Sequence, residues 1–121
     1  MRQNILYKIY MGHKCVYVDT TNIDLTMTLR VRFFEKETNL DLERISKIEY
    51  VVLPSQADCF VYKSYLVNSL KPIYNKLDKA RDKLSSDIIL PELKFILYSN
   101  PIVDKWKSML KTEQLDLFKQ I

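Results

Sequence analysis

Ile5-Leu6-Tyr7-Lys8-Ile9-Tyr10 and Cys15-Val16-Tyr17-Val18, joined by Met11-Gly12-His13-Lys14, decide how this chain folds. Both runs are rich in β-branched and aromatic residues, which suit a pleated, half-buried surface. The four residues between them include the only glycine of the chain. Two β-prone runs around a four-residue, Gly-containing turn predict a hairpin. Asp19-Thr20-Thr21-Asn22 is turn-like, and Asp24 can cap a helix from Leu25 to about Glu37. Leu25, Leu29 and Phe33 give that helix an apolar face at i, i+4, i+8. Its threonines and valine make it intrinsically weak, so packing must hold it.

Further along, Asn39 to Arg44 is a polar connector with room for a helical turn. Ile48-Glu49-Tyr50-Val51-Val52-Leu53 is a third β run, ended by Pro54. Ser55-Gln56-Ala57-Asp58 resembles a capping box and opens a second helix, which stops at Pro72. Asn75 to Leu84 is basic with helical potential, and Ser85-Ser86-Asp87 breaks it. Leu93 to Leu97 is a candidate short strand. Pro101 to Gln120 predicts an amphipathic helix with Val103, Trp106, Leu110 and Leu117 as its apolar members. The order predicts an α+β fold, a three-stranded antiparallel sheet covered by helices with a C-terminal helical extension. The expected organisation is a domain over 1–84 and an extension over 85–121 packed on it.

The chain has 121 residues and is 47% hydrophobic, enough for one globular domain with a real core. No apolar run approaches the ~20 residues of a membrane span, and the N-terminus lacks the apolar stretch of a signal peptide. Cys15, Cys59 and a lone His13 offer no zinc spacing. The expectation is a reduced, cytoplasmic protein with no membrane partner. A net charge of +4 permits an anionic partner. Lys71, Lys76, Lys79, Arg81 and Lys83 face only Asp78 and Asp82 over 71–83, and Arg30, Arg32 and Lys36 form a second basic group.

Lys63 stands out on the second helix. Cys59, Phe60, Leu66, Val67 and Leu70 lie one or two turns from it, so the expectation is a charge emerging from a buried stripe. Such a charge needs a reason. Snorkelling from the stripe edge to water would be one.

Ile5-Leu6-Tyr7, then Val16-Tyr17-Val18 with its tyrosine ten residues on, resembles the paired strand motifs of the GIY-YIG nuclease superfamily. Thr20-Thr21 and Leu25, Ile48-Glu49-Tyr50, Ala57-Asp58 and Lys71-Pro72-Ile73-Tyr74-Asn75 follow in the same order. The resemblance spans residues 5–75. Ile89-Leu90-Pro91-Glu92-Leu93 and Phe95 resemble a branch of small proteins of low-GC bacteria and their phages or mobile elements. The resemblance implies a fold that cleaves DNA phosphodiesters, with two tyrosines, an arginine on the first helix, a metal-holding glutamate on the second and a supporting asparagine. The tyrosines match Tyr7 and Tyr17, and the asparagine matches Asn75. The arginine position holds Thr28, the glutamate position holds Lys63, and the glycine closing the second tyrosine motif is Asp19.

A protonated lysine repels a metal instead of ligating it, so loss of the glutamate should cost roughly a thousandfold or more in rate. Arg30 or Arg32 stands near enough in sequence to replace the missing arginine. Asp19 would more readily form a salt bridge with Lys63 than a metal site. Without the family, Tyr7 and Tyr17 read as cross-strand packing and Asn75 as a turn residue. The expectation is a catalytically impaired domain with no metal, binding DNA phosphate through Arg30, Arg32, Lys63, Lys71, Lys76, Lys79, Arg81 and Lys83. Two alternatives stand beside it. One is an active endonuclease using Mg²⁺ or Mn²⁺ through an atypical ligand set. The other is a phage or mobile-element protein that binds and inhibits a host protein such as a defence nuclease.

Overall fold

Residues 5, 6, 7 and 9 are all buried, so the first strand must be covered on both faces and flanked on both edges. The computed structural model, which describes residues 3–34, 40–75 and 90–109, meets that demand. Strands β1 (Asn4–Met11), β2 (Lys14–Thr21), β3 (Lys47–Leu53) and β4 (Ile96–Leu97) form one sheet in the order β2-β1-β3-β4. All neighbours are antiparallel. Helices α1 (Leu25–Phe34) and α2 (Gln56–Leu70), with helical residues at 102–109 (α3), complete the α+β architecture.

The alternation of β1 sorts the core into two halves. Ile5, Tyr7 and Ile9 pack with Leu25, Leu29 and Phe33 of α1 and with Trp106 of α3. Leu6 instead packs with Val18, Leu53 and the α2 residues Cys59 and Val67. The sheet is therefore sandwiched between α1 on one side and α2 on the other. Burying each of Leu25, Leu29 and Phe33 contributes about 1.5–3 kcal/mol, which offsets the poor intrinsic helicity of α1.

The predicted capping chemistry is present. The Met27 amide donates to Asp24 at 3.1 Å, and the Asp58 amide donates to Ser55 at 3.1 Å. Helix α2 ends with Lys71 in the left-handed conformation at φ 47°, just before Pro72. That conformation usually falls to glycine.

Four expectations need correction. The sheet has four strands, because two residues of the chain after position 90 add to β3 as β4. Only Ile96–Leu97 of the expected 93–97 strand pairs. The hairpin turn is two residues, Gly12 and His13, since strand pairing extends to Met11↔Lys14; Gly12 has φ 62°, the left-handed backbone a tight turn needs. The apolar stripe around Lys63 is narrow: Cys59 and Val67 are buried, but Phe60 and Leu70 are exposed. Asn75 is the last residue of a single 3-10 turn, Ile73–Asn75. The expected continuation of α1 past Phe34, the basic stretch after Asn75, and Leu110 and Leu117 lie outside the described residues.

Candidate functional site

Strand register builds the site. Tyr7 and Asp19 are directly opposed across β1 and β2, so their side chains share a face. Tyr17 precedes Asp19 by two residues on the same strand and therefore points the same way. The Tyr7 and Tyr17 rings meet at 6.2 Å, tilted by 56°. Both matched tyrosines and the aspartate at the motif-glycine position are thus brought together.

Asp19 is the hub. Its Oδ2 accepts from the Tyr17 hydroxyl at 2.7 Å and from the Arg32 guanidinium at 3.0 Å. Its Oδ1 accepts from the Thr20 amide at 2.8 Å and lies 3.1 Å from the Lys63 ammonium. Arg32 comes from α1 and Lys63 from α2, so the carboxylate ties both helices to strand β2. The side chains of Asp19 and Lys63 keep only 13% and 16% of their exposure, and Arg32 keeps 35%. A carboxylate so enclosed needs its charge compensated. Two cations supply that.

Lys63 is therefore not a snorkelling side chain. It forms the ion pair expected of it with Asp19. Thr28, at the arginine position, is buried and shares a 2.8 Å hydrogen bond between its hydroxyl and that of Thr21. Arg32, one helical turn later on the same face, reaches Asp19 instead. Spacing puts positions 28 and 32 on one helix face, and the packing of α1 beside β2 turns that face toward Asp19. Arg30 points away and is exposed. Lys71 is exposed at the end of α2. Lys76, Lys79, Arg81 and Lys83 lie outside the described residues.

The tyrosines sit in an environment hostile to phenolate. Burial, followed by the negative charge of Asp19, pushes the Tyr7 hydroxyl well above its ordinary pKa. Burial, then Tyr7 and the Asp19 charge, does the same for Tyr17. Arg32 draws both down by a smaller amount. The buried Tyr7 hydroxyl makes no hydrogen bond of good geometry, although Arg32 and Tyr17 are close enough to influence its charge. Both hydroxyls therefore stay protonated at neutral pH and can donate, but neither is poised to act as a base.

Asn75 has a role the sequence did not reveal. Its side-chain oxygen accepts from the Val18 amide at 2.9 Å, and its side-chain amide donates to the Val18 carbonyl at 2.9 Å. This is the pairing a neighbouring strand would make. Asn75 thereby closes part of the exposed edge of β2, just beside Asp19. The signal in the sequence was weak, since an asparagine after a proline usually belongs to a turn.

Among the described residues, no group of three or more His, Cys, Asp or Glu side chains converges, and no helix is long and apolar enough to cross a membrane. The residues of the site do not fit a metal: the oxygens of Asp19 already face two cations, and the position of the implied metal-holding glutamate carries an ammonium.

No family model and no curated protein matches the chain. Solved structures do. The GIY-YIG N-terminal endonuclease domain of UvrC from Thermotoga maritima, bound to its catalytic magnesium, is similar at 16% identity and a TM-score of 0.49. The match covers 61% of this chain and 83% of that one. A single Tyr-to-Phe variant of the same domain, also bound to its catalytic cation, matches at 15% identity and a TM-score of 0.49, covering 61% and 82%.

Proposed function

We propose that this chain is a GIY-YIG-like domain in which cleavage has given way to binding of a nucleic-acid phosphate backbone. One observation carries the reading: Asp19 is clamped between Arg32 at 3.0 Å and Lys63 at 3.1 Å. A hard divalent cation seeks carboxylate oxygens with free lone pairs. Here four donors already use both oxygens. A guanidinium and an ammonium converge where a metal would need carboxylates, which favours an oxyanion over a metal. Tyr17 donates to Asp19 and Tyr7 packs against the Tyr17 ring, so the two tyrosines hold the carboxylate in place. Arg32 takes the place that Thr28 leaves empty.

A site without a metal lacks both the Lewis acid and the means of generating hydroxide at neutral pH, and among the described residues the tyrosines, held protonated by burial, are poor bases to replace it. Binding is then what remains of the ancestral chemistry. The phosphate backbone of duplex DNA is the expected partner, contacted without reading its sequence.

The test is electrophoretic. Labelled duplex DNA should shift without being cut, with or without Mg²⁺ or Mn²⁺. Affinity should fall with salt, each phosphate contact adding about −0.9 to the log–log slope. Cleavage that needs metal and disappears in Tyr17→Phe would overturn the proposal, as would the absence of any shift at low salt. Lys63→Glu supplies a second arm. It places a second carboxylate beside Asp19, and calorimetry should then detect Mn²⁺ binding that the native chain lacks.

A further inference from the structure

Helix α1 is apolar on the side that faces away from the sheet as well as on the side that faces it. Leu25, Leu29 and Phe33 are buried inward. On the opposite side Met27 is 62% exposed, Val31 53% and Phe34 40%. The Phe34 and Trp106 rings lie nearly perpendicular with centroids 6.2 Å apart, and Phe34 still remains 40% exposed. Met27, Arg30, Val31 and Phe34 line a shallow cavity of about 420 Å³. Positions 27, 30, 31 and 34 follow the i, i+3, i+4, i+7 pattern by which an anchoring helix lies in a partner's groove. An apolar ridge left exposed on a helix whose other side already packs on the sheet is a surface built to be covered.

Arg30 says what covers it. It stands on the flank of the ridge, exposed, with no ion pair among the described residues. A second copy of the chain suits it poorly. In an antiparallel two-fold pairing centred on the ridge, the two Arg30 side chains would face each other. In a parallel pairing Arg30 would lie over Val31. Neither arrangement supplies a carboxylate, and the first sets like charges together. Phosphate backbone suits it no better, since three large apolar side chains would be left against charged oxygens. We infer that the outer face of α1 is a docking surface for a partner protein that presents apolar side chains flanked by carboxylates. The face lies opposite the side of α1 from which Arg32 reaches Asp19. It therefore stands independently of the DNA reading.

Two synthetic helical peptides with the same leucine seam test this, one flanked by glutamates and the other by lysines. Amide chemical shifts of the ¹⁵N-labelled chain report where each binds. The glutamate peptide should move the resonances of Met27 to Phe34 and bind about tenfold more tightly than the lysine peptide. Arg30→Glu should reverse that preference. Val31→Asp should abolish binding of both, with the melting temperature unchanged because Val31 is exposed. Equal affinity for the two peptides, or shifts confined to other elements, would overturn the inference. So would a dimer in sedimentation that Val31→Asp dissociates, which would make a second copy the occupant.

Discussion

Removing the carboxylate of Asp19 should strand two cations in a half-enclosed space. The Lys63 ammonium is 3.1 Å from Oδ1, and Arg32 is 3.0 Å from Oδ2. Fully exposed ion pairs couple by about 0.2–1 kcal/mol, whereas breaking a buried pair costs about 3–5 kcal/mol. With 13% and 16% exposure the Asp19–Lys63 pair lies nearer the buried limit, but Arg32 shares the same carboxylate. A coupling of about 1.5–2.5 kcal/mol follows. Asp19→Ala also loses the bonds from Tyr17 and Thr20, so alone it should cost about 3–4 kcal/mol. Lys63→Met leaves Asp19 paired with Arg32 and places an apolar chain beside Cys59 and Val67, so it should cost only about 1–2 kcal/mol. The double variant should cost less than the sum of the two by the coupling energy. Urea denaturation of the four proteins measures this, provided the m-values agree. A coupling below about 0.5 kcal/mol would refute the argument, since the pair would then behave as a solvated surface contact.

Three further outcomes are expected. Tyr7→Phe removes a buried hydroxyl that lacks a good hydrogen bond, so thermal unfolding should show no loss and up to about 1 kcal/mol of gain; a loss above that would mean the hydroxyl is bonded in solution. Because burial raises Tyr7 and Tyr17 in the folded chain, stability should hold up to about pH 10, where unfolded tyrosine ionises, and then fall. Tyr17→Phe should make that alkaline decline shallower by up to about 1.4 kcal/mol per pH unit, with Tyr7 and the likewise raised Tyr10 sustaining the remainder; equal slopes in urea midpoints would refute it. Asn75→Ala loses two buried hydrogen bonds to Val18, so it should cost about 2–4 kcal/mol and speed hydrogen exchange at the Val18 amide; an unchanged exchange rate would show that the edge is protected by something else.

The hairpin, both helix starts and the inward face of α1 were legible in the sequence because each is a local event. A strand needs β-branched and aromatic residues in a run, a helix start needs an oxygen three residues before an amide, and an amphipathic face needs a period of 3.6. The attraction between Lys63 and Asp19 was legible as well, since a carboxylate facing a lysine favours a salt bridge. Three things depended on tertiary structure. Arg32, not Arg30, completes the cluster, because only the side of α1 turned toward β2 can reach Asp19. Asn75 serves as a mock strand because β2 is an edge, and strand order is a property of the whole sheet. Phe60 and Leu70 lie in the open although they share a helix with Cys59 and Val67. Period alone gives an apolar sector, but the width of the sheet beneath a helix decides how much of that sector is covered.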